Sequence, residues 1–115
     1  MLQTNLKHVE TDDQFQELVK NHENVMLCCG RMGPMCIPVY DIMENLEERY
    51  ENVEFQDMSF DEAVSNNIRR LPEVRDFMGL PFTLYYKNGE IVEATSGIQN
   101  KSQVTEILDK HFGRN

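Results

Sequence analysis

Apolar and polar residues follow two rhythms along this chain. Leu6-Lys7-His8-Val9 alternates every second residue, which predicts a short strand with one covered face. Thr11 then has the chemistry of a helix N-cap, and Gln14 three residues on completes a capping box. Asp12 and Asp13 fall in the first turn, where the helix dipole favours negative charge, and Phe15, Leu18 and Val19 supply the apolar stripe. Val25-Met26-Leu27-Cys28-Cys29 is a continuous apolar run of strand length, the pattern of a strand covered on both faces. Gly30 to Gly33 reads as a short loop. Pro34 opens the next predicted helix, since its missing N–H costs nothing at that position. Met35, Val39, Ile42, Met43, Leu46 and Tyr50 recur at helical spacing, so this helix is expected to run to about Tyr50, with Asp41, Glu44, Glu47 and Glu48 on its wet side. Pro38 is a defect near its first turn.

Val53, Phe55 and Met58 mark a third strand. Residues 61–79 are mixed and expected to be helical in two pieces, broken at Leu71-Pro72. Leu80-Pro81-Phe82-Thr83-Leu84-Tyr85-Tyr86 reads as an aromatic-rich strand with its proline at the start, where a strand accepts it. Lys87-Asn88-Gly89-Glu90 is a hairpin signal, and Ile91 to Ala94 is the returning strand. Asn100 caps a final helix with Gln103 as its box partner, and Val104, Ile107, Leu108 and Phe112 form the inner face. The order β-α-β-α-β-α-β-β-α implies an α/β fold: a mixed central sheet, parallel in its early part, with helices on both faces. Residues 1–115 read as one domain.

Composition narrows the function classes. The chain has 115 residues, 27% charged and 40% hydrophobic, ordinary values for a globular domain. Its net charge of −9 argues against general nucleic-acid binding, because an acidic surface repels a phosphate backbone. The first seven residues hold no long apolar run, and neither a signal peptide nor a membrane span is expected. The three cysteines are an odd number for a secreted disulfide framework, so a reducing cytoplasm is the expected setting. There, cysteines are more often free, metal-bound or redox-active than structural bridges.

The chain resembles the thioredoxin family over nearly its whole length. The resemblance rests on His8-Val9-Glu10-Thr11-Asp12-Asp13-Gln14-Phe15, on the apolar strand 25–29, and on Met32-Gly33-Pro34-Met35 opening a long helix. It continues through Gly79-Leu80-Pro81-Phe82-Thr83, Tyr86-Lys87-Asn88-Gly89-Glu90 and Leu108-Asp109-Lys110-His111-Phe112. It implies a thioredoxin-like fold, a cis peptide at Pro81 beside the active-site loop, and a Leu80 backbone that pairs with an extended substrate segment. The family carries Cys-Gly-Pro-Cys at a helix N-terminus, usually after a Trp. Here Met32 and Met35 take the cysteine places and the chain has no Trp. A thioether forms neither a thiolate nor a disulfide. The buried acid that the family has on the preceding strand is also missing, with Cys28 near its place.

The cysteines therefore carry the candidate chemistry. Cys36 sits in the first helical turn, where the dipole and free N–H groups favour a thiolate; the bland alternative is a small core residue. Cys29 ends its strand next to Gly30 and is placed to face the helix start across the loop. Cys28 points the other way and reads as core. The first expectation is an atypical thiol–disulfide oxidoreductase with a Cys29–Cys36 dithiol, in which Cys29 attacks if the loop exposes it and Cys36 resolves the mixed disulfide. Arg31 is a candidate to stabilise a nearby thiolate. Leu80, Pro81, Met32, Gly33, Pro34 and Met35 are the expected substrate-binding residues, with Met32 and Met35 offering a soft apolar surface. The remaining methionines, Met78 among them, read as core or gap-filling. The expected partners are a disulfide-containing protein substrate and a reductase as electron donor, with no bound cofactor, and the chain is expected to act as a monomer. The alternative is a non-catalytic polypeptide-binding module. A metal site is not expected, since Cys-Cys-x6-Cys matches no usual zinc pattern and His8, His22 and His111 lie far from it.

Overall fold

A computed structural model describes residues 2–113. The elements run β1 (Lys7–Val9), α1 (Asp12–Asn21), β2 (Asn24–Gly30), α2 (Ile37–Leu46), β3 (Glu54–Ser59), α3 (Asn66–Arg69), β4 (Phe82–Lys87), β5 (Glu90–Ser96) and α4 (Lys101–His111), with a single 3-10 turn at Ala63–Ser65 before α3. One five-stranded sheet has the order β1-β3-β2-β4-β5. The β1–β3 and β3–β2 pairs are parallel, while β2–β4 and β4–β5 are antiparallel. This is the mixed α/β sheet expected from the alternation of elements.

Local chemistry explains the element ends. Thr11 and Asn100 both close full capping boxes with Gln14 and Gln103, so two of the orphan N–H groups at each helix start are satisfied. At the β4–β5 hairpin, Asn88 and Gly89 both take positive φ, 53° and 84°, as a type I′ turn requires. Residues 71–79 do not form the second helical piece that was expected. They make isolated turns, with Val74 and Arg75 N–H bonding to Leu71 O and Phe77 N–H to Val74 O. Pro72 has no N–H to give, and no helix is propagated beyond it.

The sheet separates two cores. On one face, Met26, Cys28, Phe55 and Tyr85 meet Val39, Met43 and Leu46 of α2 and Val104 and Leu108 of α4. On the other, Val25, Leu27, Cys29, Leu84 and Tyr86 meet Phe15 and Leu18 of α1 and Ile68 of α3. Every residue of β2 is buried, which is why Val25 to Cys29 is apolar without alternation. Each fully buried Leu, Met or Phe in these layers contributes about 1.5–3 kcal/mol. Among the described residues no helix is long and apolar enough to cross a membrane.

Candidate functional site

The site lies where the C-terminal end of β2 meets the start of α2. The regular helix begins at Ile37, three residues later than expected from Pro34. A turn precedes it, in which Gly33 O accepts from the N–H groups of both Cys36 and Ile37. Pro38 is the reason for the late start: it has no N–H to bond to Pro34 O, so the ladder cannot extend back through it. At the second helical position that loss is harmless, and the proline is not a kink.

Cys36 is the N-cap of α2. The stretch Cys36-Ile37-Pro38-Val39 thus sets a cysteine and a proline on a helix N-terminus at the spacing of Cys-Gly-Pro-Cys, with Val39 in the second cysteine's place. Met32-Gly33-Pro34-Met35 belongs to the connection before the helix, which corrects the expectation that it opens α2. The signal was present in the sequence as Cys-x-Pro, hidden behind the more familiar Gly-Pro pair.

Cys36 Sγ is almost covered, at 3% exposure of the residue. It accepts a hydrogen bond from the backbone N–H of Arg31 at 3.4 Å. A Cβ placed on Gly30 would stand 2.8 Å from this sulfur, 2.7 Å from Tyr40 Oη and 3.1 Å from Pro81 Cβ. The thiol, the Tyr40 hydroxyl and Pro81 therefore converge on one bare stretch of backbone. The Leu80–Pro81 bond is cis, as the resemblance implied. Tyr40 Oη donates to Arg31 O at 3.1 Å and fastens the loop from beneath.

An open groove of about 320 Å³ lies above Cys36, lined by Arg31, Gly33, Pro34, Met35, Cys36, Met78 and Leu80. It brings together five of the expected residues: Gly33, Pro34, Met35, Cys36 and Leu80. Pro81 stands beside the thiol. Met32 turns toward the N-terminal segment, its Sδ accepting the Gln3 N–H at 3.3 Å. Met78 is not the filler it was read as: it is 97% exposed at the rim of the groove. The Arg31 guanidinium lies within electrostatic range of Cys36, but its hydrogen bonds go elsewhere. It grips Asp61 in a two-pronged pair, Nε to Oδ2 at 2.9 Å and Nη2 to Oδ1 at 2.9 Å.

The other two cysteines are placed differently. Cys28 shares the α2 and α4 core with Cys36. Burial drives its thiol well above the ordinary range, against the partial relief of a hydrogen bond from Thr83 Oγ1 at 3.8 Å. Cys29 lies in the opposite core and has no accessible surface. Its thiol is pushed up to about 12, chiefly by burial. The loop does not expose it, so the condition attached to its attacking role is not met. All three cysteines are free.

A buried acid is present, on the neighbouring strand. Asp57 is the register partner of Cys28 across β2–β3. Its side chain has no accessible surface. Thr4 Oγ1 donates to Oδ2 at 2.5 Å, and His8 Nδ1 lies 2.5 Å from Oδ1. Burial still raises its pKa above the usual carboxylate value, though both partners oppose the shift. The sequence signal was the period of β3: Asp57 occupies the inward position two residues after Phe55.

The architecture by itself defines a class. A mixed sheet in which a helix N-cap cysteine faces a cis-proline is the thioredoxin fold. A structure of Plasmodium falciparum thioredoxin superposes with a TM-score of 0.75 at 22% identity, covering 92% of this chain and 99% of that one. Thioredoxin f2 of Chlamydomonas reinhardtii gives a TM-score of 0.78 at 14% identity, covering 96% and 100%. No protein-family model matches the chain. A thioredoxin of Peptoclostridium acidaminophilum is 30% identical over 107 residues, 91% of this chain and 96% of that protein. The chain belongs to the thioredoxin family, a family of redox proteins.

Proposed function

We propose that this protein carries out thiol–disulfide exchange on extended polypeptide segments, with Cys36 as its attacking thiol. The observation behind this reading is the placement of Cys36 Sγ: at the N-cap of α2, beside cis-Pro81, at the floor of an open groove. A substrate strand lying along Leu80 would carry its disulfide to that sulfur. The Cys36 thiolate attacks one sulfur of the disulfide, a mixed disulfide forms, and the other substrate sulfur leaves as a thiolate. Val39 in the second cysteine's place leaves the helix without a resolving thiol. Resolution then falls to a second thiol, either an external one from a reductase or small-molecule thiol, or Cys29 if the strand end opens. The proposed setting is the cytoplasm, where the thiol stays reduced, and the proposed working form is a single-domain monomer.

A second reading is favoured by the groove's rim. Met35 is 49% exposed and no cysteine exceeds 3%. A surface that offers thioethers and hides its thiols suits a polypeptide-binding module without chemistry. Insulin reduction driven by dithiothreitol separates the readings. Loss of activity in Cys36→Ser with retention in Cys29→Ser supports Cys36 as the working thiol. Loss in both supports the Cys29–Cys36 dithiol. Inactivity of the native protein refutes exchange and leaves the binding module.

A further inference from the structure

We propose that Met35, Cys36 and Met78 form a binding site for one cuprous ion at the mouth of the groove. These residues come from two separate segments, the turn before α2 and the loop before β4, and line the same open groove. Met35 and Met78 are exposed at 49% and 97%, so turning their thioethers toward the thiol would sacrifice little packing. Cys36 Sγ lies at the floor, where it accepts the Arg31 N–H at 3.4 Å. The Arg31 guanidinium is tied to Asp61, and that carboxylate offsets its charge near the site.

The donor set selects the ion. Thioether and thiolate sulfurs are soft ligands that favour Cu(I), whereas zinc sites are built from thiolates, imidazoles and carboxylates. Among the described residues no group of three His, Cys, Asp or Glu is placed to hold a metal. The usual zinc patterns rest on cysteine and histidine, and the methionines fall outside them. Binding involves no electron transfer. Copper enters as Cu(I), the Cys36 thiol gives one proton to solvent, and one thiolate and two thioether bonds to copper form. The resulting centre is neutral, which suits an apolar groove.

The test is an anaerobic titration of the reduced protein with Cu(I), using bathocuproine disulfonate as competing chelator and absorbance reporter. The native protein is expected to retain one Cu(I) per chain. Cys36→Ser, and separately the double variant Met35→Leu/Met78→Leu, are expected to hold it at least tenfold more weakly. Both methionines are at the surface, so the double variant keeps its fold, checked by circular dichroism. Loss of all copper to the chelator by the native protein overturns the proposal. So does unchanged retention in either variant, which would assign the copper to other sulfurs.

Discussion

Gly30 is the position where a single methyl group should matter most. A Cβ there would meet Tyr40 Oη at 2.7 Å, Cys36 Sγ at 2.8 Å and Pro81 Cβ at 3.1 Å. Two of these atoms sit well inside van der Waals contact, and the third belongs to a rigid ring. Overpacking of a close-fitted core costs about 1–3 kcal/mol. The exchange of Gly for Ala returns about 0.4–1 kcal/mol by restricting the unfolded chain. A net loss of about 1–2 kcal/mol remains for Gly30→Ala. With 115 residues, the unfolding entropy is about 0.24 kcal/mol/K, so Tm should fall by about 4–8 °C. Tyr40→Phe provides the internal check. In the native background it removes only the bond to Arg31 O at 3.1 Å, at a cost of about 1 kcal/mol. In the Gly30→Ala background it also removes the nearest clashing atom, so the double variant should be more stable than the sum of the two losses by about 1 kcal/mol. Calorimetry or circular-dichroism melts of the four proteins measure this. An unchanged Tm for Gly30→Ala, or strictly additive losses, would refute the crowding described at this site.

Iodoacetamide at neutral pH should label Cys36, which is nearly covered but lines the open groove, faster than Cys29, which has no accessible surface and is pushed up to about 12; faster Cys29 labelling, read by peptide mass spectrometry, would contradict its burial. Asp57 has a folded pKa raised above the ordinary carboxylate value, so the native state holds its proton more tightly than the unfolded state does. Its contribution is complete below that ordinary value and is lost as pH rises through the folded pKa. Denaturant midpoints from about pH 4 to 7 should therefore show Asp57→Asn gaining on the native protein as pH rises, and parallel curves would refute the assignment. Gly89→Ala forces an alanine into φ 84° and should cost about 1–2 kcal/mol, whereas a stability change within 0.5 kcal/mol would argue against the hairpin geometry.

Much of the fold is legible because several signals are local. The apolar run at 25–29 names a strand buried on both faces, the boxes at Thr11 and Asn100 name helix starts, and Asn88-Gly89 names the hairpin. The parity of β2 also puts Cys28 and Cys29 on opposite faces. It cannot say which face α2 covers, and that decides which cysteine shares a core with Cys36. The right-handed crossover β2-α2-β3 settles it in three dimensions, in favour of Cys28. Pro34 and Pro38 both carry helix-start chemistry, and only the hydrogen-bond ladder distinguishes them. Hydrophobicity alone does not distinguish a rim methionine such as Met78 from a core one.

Thr4 and His8 reach Asp57 from the very edge of the sheet. β1 is three residues long and pairs only with β3, so this margin is the natural place for the molecule to breathe. When it frays, Asp57 gains water and can release its proton. When Asp57 is protonated, the margin closes over it more cheaply. Amide exchange along Leu6 to Val9 should therefore quicken with pH beyond its ordinary base catalysis, making these few amides a readout of charge in the middle of the sheet.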